Sequence, residues 1–397
     1  MIHLSASDGF GHPVNSSILA PVSRRYRPNR SSLLSRRGLA LCIAVGLCSA
    51  TLNHAATVSV FATGLNNPRG LKFGPDGYLY VAEGGAGGSL NTLSDPSVTQ
   101  VPPPIGPYTG DFTARISKID HNGVRTTLSD GLPSSQTAPT QGSLISGVAD
   151  VAFVGSKLYA VLAGAGASHG LAHTDNAVLR VTHDGDVTVV ADLSIFQETH
   201  PTAVIEPDDF EPDGTWYSLL AVDGKLFAVE PNHGELDRID PENGRIKRIA
   251  DISAAQGHIV PTALAHDDGA FYVGNLNTFP IIEGSSKVLK ITPGGKVSVF
   301  ATGFTTVVGL AFDHAHRLYV LENTTGNPFP TPGTGKVIRI DRLGNREEIA
   351  SGLFLPTGIT VGPDGNLYVS NVGFGPPPMG LGQVVKITLS ERDRCIK

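Results

Sequence analysis

An internal repeat constrains this chain more than any other feature of its sequence. The heptapeptide VSVFATG occurs at residues 58–64 and again at 297–303, and each copy is followed by a Gly-Leu pair, a turn and the tripeptide LYV. The same frame occurs six times, with aromatic anchors at Tyr80, Tyr159, Phe227, Tyr272, Tyr319 and Tyr368. The last three spacings, 45, 47 and 49 residues, are typical of one four-stranded propeller blade. The first two, 79 and 68 residues, fit a blade with an insertion. The pattern predicts an all-β, six-bladed β-propeller.

The N-terminal part of the repeat region is expected to close the ring. The sixth copy ends at Leu389 without a fourth strand, whereas 57-TVSVF-61 has the pattern of that strand and precedes the first blade. An open ring would leave unpaired strand edges. We therefore expect this segment to pair into the last blade and the propeller domain to span residues 57–397. The 47 Gly and 28 Pro suit short strands joined by turns.

Residues 1–56 are predicted to form a signal peptide or export segment. Six arginines between Arg24 and Arg37 precede the apolar stretch 38–50, which is followed by small residues, as in a signal peptide. The apolar stretch is shorter than the roughly 20 residues that a membrane span needs. Cleavage is expected after Ala50 or near Ala56. The mature protein is thus predicted to be secreted or periplasmic, with no stable membrane span and with Cys395 as its single cysteine.

The net charge of −6 provides no basic surface, so nucleic acid is not expected as a partner.

The predicted turns between strands a and b, and between c and d, are short in every blade and share one face. The long connections must then lie on the opposite face, which we call the long-loop face. They are residues 84–114, 163–177, 276–286, 323–336 and 372–382 between strands b and c, and 132–147 and 194–216 between strand d and the next strand a. Insertions on one face of a repeat array commonly mark a binding face. We expect a small molecule, glycan or protein to bind there.

Polar residues recur where strand b ends on this face. The six positions, here called the strand-b ring, are Glu83, Leu162, Glu230, Asn275, Glu322 and Asn371. The five carboxylates and amides could hold a divalent cation such as Ca²⁺ through oxygen ligands. They could equally satisfy backbone groups of the long loops. The sequence leaves both interpretations open, and it identifies no other cofactor.

The densest polar constellation is expected where blades 3 and 4 meet. Its candidate binding residues are Glu230, Asn232, His233, His258, Asn275 and Asn277. The two histidines could carry protons or bind a ligand near neutral pH, or could brace the loops. The adjoining acidic segment 206-EPDDFEPDG-214 fits either calcium binding or a solvated loop, and its spacing matches no EF-hand.

Several segments resemble the ScyD/ScyE family, the propellers named from scytonemin-pigment gene clusters. They are 67-NPRGLKFGPDGYLYVAEGGAGG-88, 210-FEPDGTWYSLLAVDGKLFAVEPNHGELDRID-240, 257-GHIVPTALAHDDGAFYVGNLNTFPI-281 and the final GPDGNLYVSN. The resemblance covers about residues 57–389. It implies a six-bladed propeller with NHL-like repeats, and it implies no particular reaction.

Two enzymatic propeller groups share parts of the pattern. Enzymes similar to SMP-30 and gluconolactonase place Asn or Asp before the strand-a glycine to hold a central metal, whereas this chain has Arg69, Val308 and Thr357 there. Quinoprotein sugar dehydrogenases have an opening similar to 68-PRGLKFGPDGYLYV-81, but Gly84 and Gly85 replace their usual arginine.

The first expectation is therefore an exported binding propeller, and the sequence leaves open whether the protein is an enzyme. The first alternative is a metal-dependent hydrolase or lactonase that works through Glu230, Asn275 and Glu322. The second is an oxidoreductase similar to the quinoprotein sugar dehydrogenases.

Overall fold

The computed structural model describes residues 56–374, 380–391, 393 and 394. The predicted export segment lies outside this range apart from Ala56, as does Cys395, so both predictions stay as stated. In the described part, no helix is both long and apolar enough to cross a membrane.

Twenty-five strands and three short helices make up the described chain. The helices are a 3₁₀ turn (Pro139–Gln141), α1 (Leu193–Thr199) and α2 (Ile252–Gln256). The strands are β1 (Thr57–Leu65), β2 (Pro68–Phe73), β3 (Leu79–Glu83), β4 (Thr109–Ile119), β5 (Arg125–Gln136), β6 (Ile145–Ser146), β7 (Val148–Val154), β8 (Lys157–Leu162), β9 (Ala177–Val181), β10 (Val187–Asp192), β11 (Ser218–Val222), β12 (Lys225–Glu230), β13 (Glu235–Ile239), β14 (Ile246–Asp251), β15 (Pro261–Asp267), β16 (Ala270–Asn275), β17 (Ser286–Ile291), β18 (Val297–Phe304), β19 (Val307–Phe312), β20 (Leu318–Glu322), β21 (Gly335–Ile340), β22 (Arg346–Leu353), β23 (Gly358–Val361), β24 (Leu367–Asn371) and β25 (Gly382–Thr388).

The strands form six antiparallel sheets, which confirms the six-bladed propeller. Blade 1 contains β2 to β5, with β6 as a fifth strand, and blades 2 to 5 contain β7–β10, β11–β14, β15–β18 and β19–β22. Blade 6 has the order β23, β24, β25, β1. The first strand of each blade contacts the first strand of the next blade, so these six strands line the centre of the ring.

The predicted closure of the ring is also confirmed. Strand β1 pairs antiparallel with β25, from Thr57 opposite Thr388 to Leu65 opposite Gly382. Leu65 is completely buried and packs in a cluster with Leu71 of blade 1. The N-terminal strand therefore joins the first and last blades through both backbone hydrogen bonds and apolar packing.

The aromatic anchor of the repeat has a structural role in the blades. The hydroxyl of Tyr80 donates to Asp76 of its own a–b turn at 2.8 Å, and its ring meets Phe153 of blade 2 edge-on at 5.0 Å. Tyr368 repeats the arrangement, with its hydroxyl 3.1 Å from Asp364 and its ring 4.9 Å from Phe73 of blade 1. These two anchors thus hold their turns and fill the space between neighbouring blades.

Three of the predicted long connections contain some regular structure. The loop predicted at 84–114 ends at residue 108, and part of the loop predicted at 132–147 is strand, because the β4–β5 hairpin continues to the pair Thr109 and Gln136. Helix α1 lies within the predicted loop 194–216. It begins where the side chain of Asp192 accepts a hydrogen bond from the Ile195 N–H at 2.9 Å.

The centre of the ring is nearly filled. Its cavity has a volume of about 20 Å³ and is lined by residues that include Gly70, Asp150 and Tyr217. A Cβ atom on Gly70 would lie 1.8 Å from the Asp150 carboxylate, so the close packing requires glycine there. Burial raises the pKa of Asp150 to about 6. A single water needs roughly 10–15 Å³, so a cavity of about 20 Å³ has room for one water molecule. The channel is therefore too small for a substrate.

Removing the Leu65 side chain tests the closure. We expect Leu65→Ala to lower the free energy of unfolding by about 2–5 kcal/mol, because it leaves a cavity between the first and last blades. Val60→Ala on the same strand is the control, and it should change stability by less than about 0.5 kcal/mol because Val60 is 56% exposed. Urea unfolding measures both. Equal effects would contradict the described packing of β1.

Candidate functional site

The strand-b ring is bound to the backbone of the segments that precede strand a. Four of its side chains accept backbone N–H groups there: Glu83 from Asn66 at 2.5 Å, Glu230 from Thr215 at 2.9 Å, Glu322 from Thr305 at 2.6 Å and Asn371 from Phe354 at 2.8 Å. Asn275 instead donates to the Ile259 carbonyl at 2.9 Å. The ring therefore braces one loop in each of five blades. Metal binding by the ring stays a prediction; in the described part of the chain, neither acid–histidine group with metal-compatible spacing includes a ring residue.

Buried Glu230 and partly buried His233 form a pair at the end of β12. The Glu230 carboxylate accepts the His233 N–H at 2.6 Å and lies 3.4 Å from the imidazole Nδ1. Burial alone would raise the pKa of Glu230, but the adjacent His233 and the backbone donors lower it overall. Burial opposes protonation of His233, yet Glu230 outweighs it and raises the pKa of the imidazole. The pair therefore favours a carboxylate beside a protonated imidazole.

Three ionisable side chains converge beside this pair, and we call them the acid–imidazole cluster: Glu206, Asp209 and His258. The Nδ1 atom of His258 lies 3.0 Å from an Asp209 oxygen and 3.6 Å from Oε2 of Glu206. One ligand atom from each residue lies within 4.8 Å of the others. Glu206 Oε2 is buried and has no hydrogen-bond partner within the described residues. The cluster thus leaves an acceptor unsatisfied.

Glu211 adds a carboxyl group that titrates near neutrality. It is 7% exposed, and its carboxylate accepts the Tyr108 hydroxyl at 2.6 Å. Burial raises the pKa of Glu211 to about 7, although the Tyr108 hydrogen bond opposes the shift. Asn232 links this residue to the rest of the loop, because it accepts the Glu211 N–H at 2.8 Å and donates to the Asp208 carbonyl.

All six predicted binding residues meet at this part of the long-loop face. Asn275 and Asn277 hold the loop that carries His258, since the Asn275 amide and the Asn277 N–H both donate to the Ile259 carbonyl. The side chain of Asn275 also donates to that of Asn277 at 2.5 Å. Asn275 and Asn277 are therefore loop braces, as is Glu230 through the Thr215 N–H. The site also contains Glu206, Asp209, Glu211 and Tyr108, which the residue prediction omitted.

The sequence indicates some of these omitted residues and not others. The acidic composition of 206–214 indicated Glu206, Asp209 and Glu211, but a solvated loop explains that composition equally well. In the structure the Asp209 side chain is 1% exposed, so the segment is not simply solvated. Tyr108 is 103 residues away from Glu211 in the chain, and no local pattern connects them.

A second acid–histidine group lies on the opposite, short-turn face. His316 is 2.7 Å from Asp267 and 3.6 Å from Asp268 through its Nδ1 atom. The group lies in the a–b turns of blades 4 and 5 and is more exposed than the acid–imidazole cluster. It provides a natural control for experiments on His258.

The pentapeptide Gly166–Gly170 (GASHG) matches the G-x-S-x-G pattern of serine hydrolases, a match absent from the sequence predictions. Its structural context differs from a nucleophile elbow. Ser168 lies in a turn that no helix follows, and it does not have positive φ. Ser168 is also 1% exposed. The match therefore does not identify a nucleophile.

Two buried carboxyl groups lie on one face of β13. Glu235 and Asp237 are both fully buried, and Arg248 pairs with Glu235. Burial raises the pKa of Asp237 to about 7, and burial together with Asp237 raises the pKa of Glu235. Neither oxygen of Asp237 makes a hydrogen bond of normal geometry within the described part of the chain. Arg248 supplies one positive charge beside two buried carboxyl groups. The Glu235–Asp237 pair therefore favours retention of a proton on one of the two.

No protein-family model and no curated protein matches this chain. Solved structures do match it in fold. A gluconolactonase from Xanthomonas campestris is 12% identical over 84% of this chain and 90% of its own, with a TM-score of 0.51. A protein of unknown function from Bacteroides thetaiotaomicron is 13% identical over 84% and 76%, with a TM-score of 0.54. A putative glucose dehydrogenase from Thermus thermophilus is 17% identical over 84% and 99%, with a TM-score of 0.53. At such identities, the likeness shows the propeller fold alone.

Variants of Glu322 separate the two interpretations of the strand-b ring. We expect Glu322→Ala to lower the free energy of unfolding by about 1–3 kcal/mol, because the buried Thr305 N–H loses its acceptor. Glu322→Gln should restore most of this loss, since its amide oxygen can accept the same bond. Urea unfolding in EDTA and in calcium chloride measures the effects. Calcium stabilisation of the wild type that both variants lose would assign metal binding to the ring.

The Glu235–Asp237 pair predicts a pH dependence of stability. Because the pKa of folded Asp237 is raised, its contribution is complete below about pH 4 and is lost as pH rises towards 7. Relative to Asp237→Asn, the wild type should therefore lose stability over that range, by on the order of 1 kcal/mol per pH unit.

Asp240→Asn is the control for this measurement, because hydrogen bonds from Lys225 and the Glu242 N–H lower the pKa of Asp240. Its wild-type contribution should be lost only as pH falls below about 4. Thermal unfolding from pH 4 to pH 8 measures both variants. Parallel curves for wild type and Asp237→Asn would contradict proton retention by the pair.

Proposed function

We propose that this chain is an exported propeller of ScyD/ScyE type that hydrolyses a small ester or lactone with the help of a divalent metal ion. The acid–imidazole cluster carries the proposal. It offers two carboxylates and one imidazole at metal-compatible spacing, and the buried Oε2 atom of Glu206 lacks a hydrogen-bond partner among the described residues. A bound cation would satisfy that oxygen.

The donor set of the cluster fits a zinc-like ion better than calcium. Zinc accepts imidazole nitrogen together with carboxylate oxygen, and its catalytic sites have three protein ligands and one open position. Calcium prefers six to eight oxygen ligands. Glu206, Asp209 and His258 would be the three ligands. When bound, such an ion polarises a carbonyl oxygen and lowers the pKa of a bound water.

The neighbouring residues can supply the remaining requirements of hydrolysis. Glu211 has a pKa of about 7, so it can accept a proton and return it near neutral pH. The Tyr108 hydroxyl holds the Glu211 carboxylate in place at 2.6 Å. His233, whose pKa is raised beside Glu230, supplies positive charge near a developing oxyanion.

The long-loop face is a better location for this chemistry than the channel. Gluconolactonase-like enzymes use residues before the strand-a glycine, but here Arg69 donates to the Ile145 carbonyl and Thr357 donates to the Pro68 carbonyl at 2.5 Å. Both side chains are buried and committed to protein contacts. The fold likeness to a gluconolactonase suggests a lactone as the first substrate to assay.

Ligand binding without chemistry is the second candidate function. One observation favours it: a pocket of about 260 Å³ lies beside the acidic segment on the long-loop face. It has the concave shape that a binding protein needs, independently of the acid–imidazole cluster.

His258→Ala tests the proposed hydrolase. We expect purified wild-type protein to bind zinc stoichiometrically and to hydrolyse glucono-δ-lactone faster than the spontaneous reaction. His258→Ala should weaken zinc binding at least tenfold and remove the activity, because one of three ligands is lost. Elemental analysis, zinc titration and a pH-stat assay make these measurements.

His316→Ala is the matched control, since it removes a histidine of the same type on the opposite face. It should leave zinc affinity and hydrolysis unchanged. Absence of zinc binding by the wild type would overturn the metal-dependent mechanism. Zinc binding without hydrolysis of any lactone or ester would leave the binding function as the better description.

A further inference from the structure

A pocket of about 260 Å³ opens on the long-loop face between blades 1, 2 and 3. Its walls come from four separate segments: the blade 1 insertion, the β8–β9 loop, helix α1 and the end of the acidic segment. Ligand pockets for drug-sized molecules usually exceed 300 Å³. The size of this pocket therefore suits a smaller ligand. It does not include any residue of the acid–imidazole cluster.

The charged residues that line the pocket are all acidic. Asp175, Glu198 and Asp213 line it, and no Lys, Arg or His does. None of the three carboxylates takes part in an ion pair within the described chain. Partial burial raises the pKa of Asp175, and the nearby Asp192 and Asp213 add to the shift. Like charges held together without a counter-charge favour a positively charged ligand.

A buried serine in the pocket wall is bound to one of these carboxylates. Ser168 is 1% exposed, its N–H donates to Oδ2 of Asp213 at 2.7 Å, and its Oγ lies 3.5 Å from Nδ1 of His169. His169 is wholly buried, and burial lowers its pKa to about 4, so it adds no positive charge at neutral pH. Ser168 therefore holds the Asp213 carboxylate in the pocket wall.

The spacing of the carboxylates separates an organic cation from a metal ion. Asp175, Glu198 and Asp213 do not form a group with ligand atoms within 4.8 Å of one another, although two other groups in the described chain do. One small ion cannot contact carboxylates that are spread around a pocket. A molecule with two or more N–H groups can donate to them separately.

We propose that this pocket binds a small organic diamine or polyamine cation. Its ammonium groups donate to Asp175, Glu198 and Asp213, and the Ser168 N–H holds the Asp213 carboxylate in place. The site is independent of the proposed hydrolase, because it shares no side chain with the acid–imidazole cluster. The same face would then hold both a metal-dependent site and an amine site.

Calorimetric titration with putrescine tests the proposal on the purified protein. We expect saturable binding that weakens as sodium chloride is raised, since the contact is between opposite charges. Asp175→Asn and Glu198→Gln should each weaken binding at least tenfold. Both residues are exposed at the surface, so neither change should prevent folding.

Asp184→Asn is the matched control, because it removes the same charge from an exposed turn on the opposite face. It should bind putrescine as the wild type does. The neutral analogue 1,4-butanediol should not bind. The proposal is overturned if putrescine gives no binding, if butanediol binds equally well, or if calcium binds the pocket in place of the amine. Unchanged zinc binding in Asp175→Asn would confirm that the two sites are separate.

Discussion

The pairing of β1 with β25 is the interaction on which the rest of the propeller depends. Each blade packs its apolar faces against two neighbours, so a ring with one open edge would expose two such faces at once. The antiparallel pairing of Thr57–Leu65 with Gly382–Thr388 removes that edge. Within the closed ring the strands of each blade alternate in direction, so the long loops lie on one face, and the candidate site lies there.

Polar side chains then position the loops on the closed ring. The strand-b ring uses buried carboxylates and amides to bind backbone groups just before strand a, which fixes the loop at the same place in five blades. At blade 3 this brace is Glu230, and it also contacts His233. A structural brace and a charged pair thus share one carboxylate. The acid–imidazole cluster and Glu211 lie beside it because the acidic segment leads directly into the braced residue Thr215.

The insertion in blade 1 has a larger role than its sequence suggests. It crosses blade 2, where the Thr92 hydroxyl donates to the Ala167 carbonyl at 2.7 Å, and it reaches blade 3, where Tyr108 binds Glu211. The insertion thereby forms one wall of the pocket and orients a carboxyl group of the site. The composition of 84–108, rich in glycine and proline, predicts only a loop. The place where this insertion packs depends on contacts between residues that lie 75 and 103 positions apart in the chain.

The sequence by itself determined the six blades, the closing strand and the face that carries the long loops, because the repeat is local and regular. It also predicted a candidate site at the junction of blades 3 and 4, since strand-b ends and loop order are readable from the repeat. Tertiary structure decided which polar residues act as braces and which remain available. Asn275 and Asn277 are committed to the Ile259 carbonyl, whereas Oε2 of Glu206 has no hydrogen-bond partner among the residues that the structure describes. It also decided that the channel is nearly closed. Hydrogen-bond partners and cavities arise from contacts between side chains of different blades. The order of residues in the sequence alone does not specify those contacts.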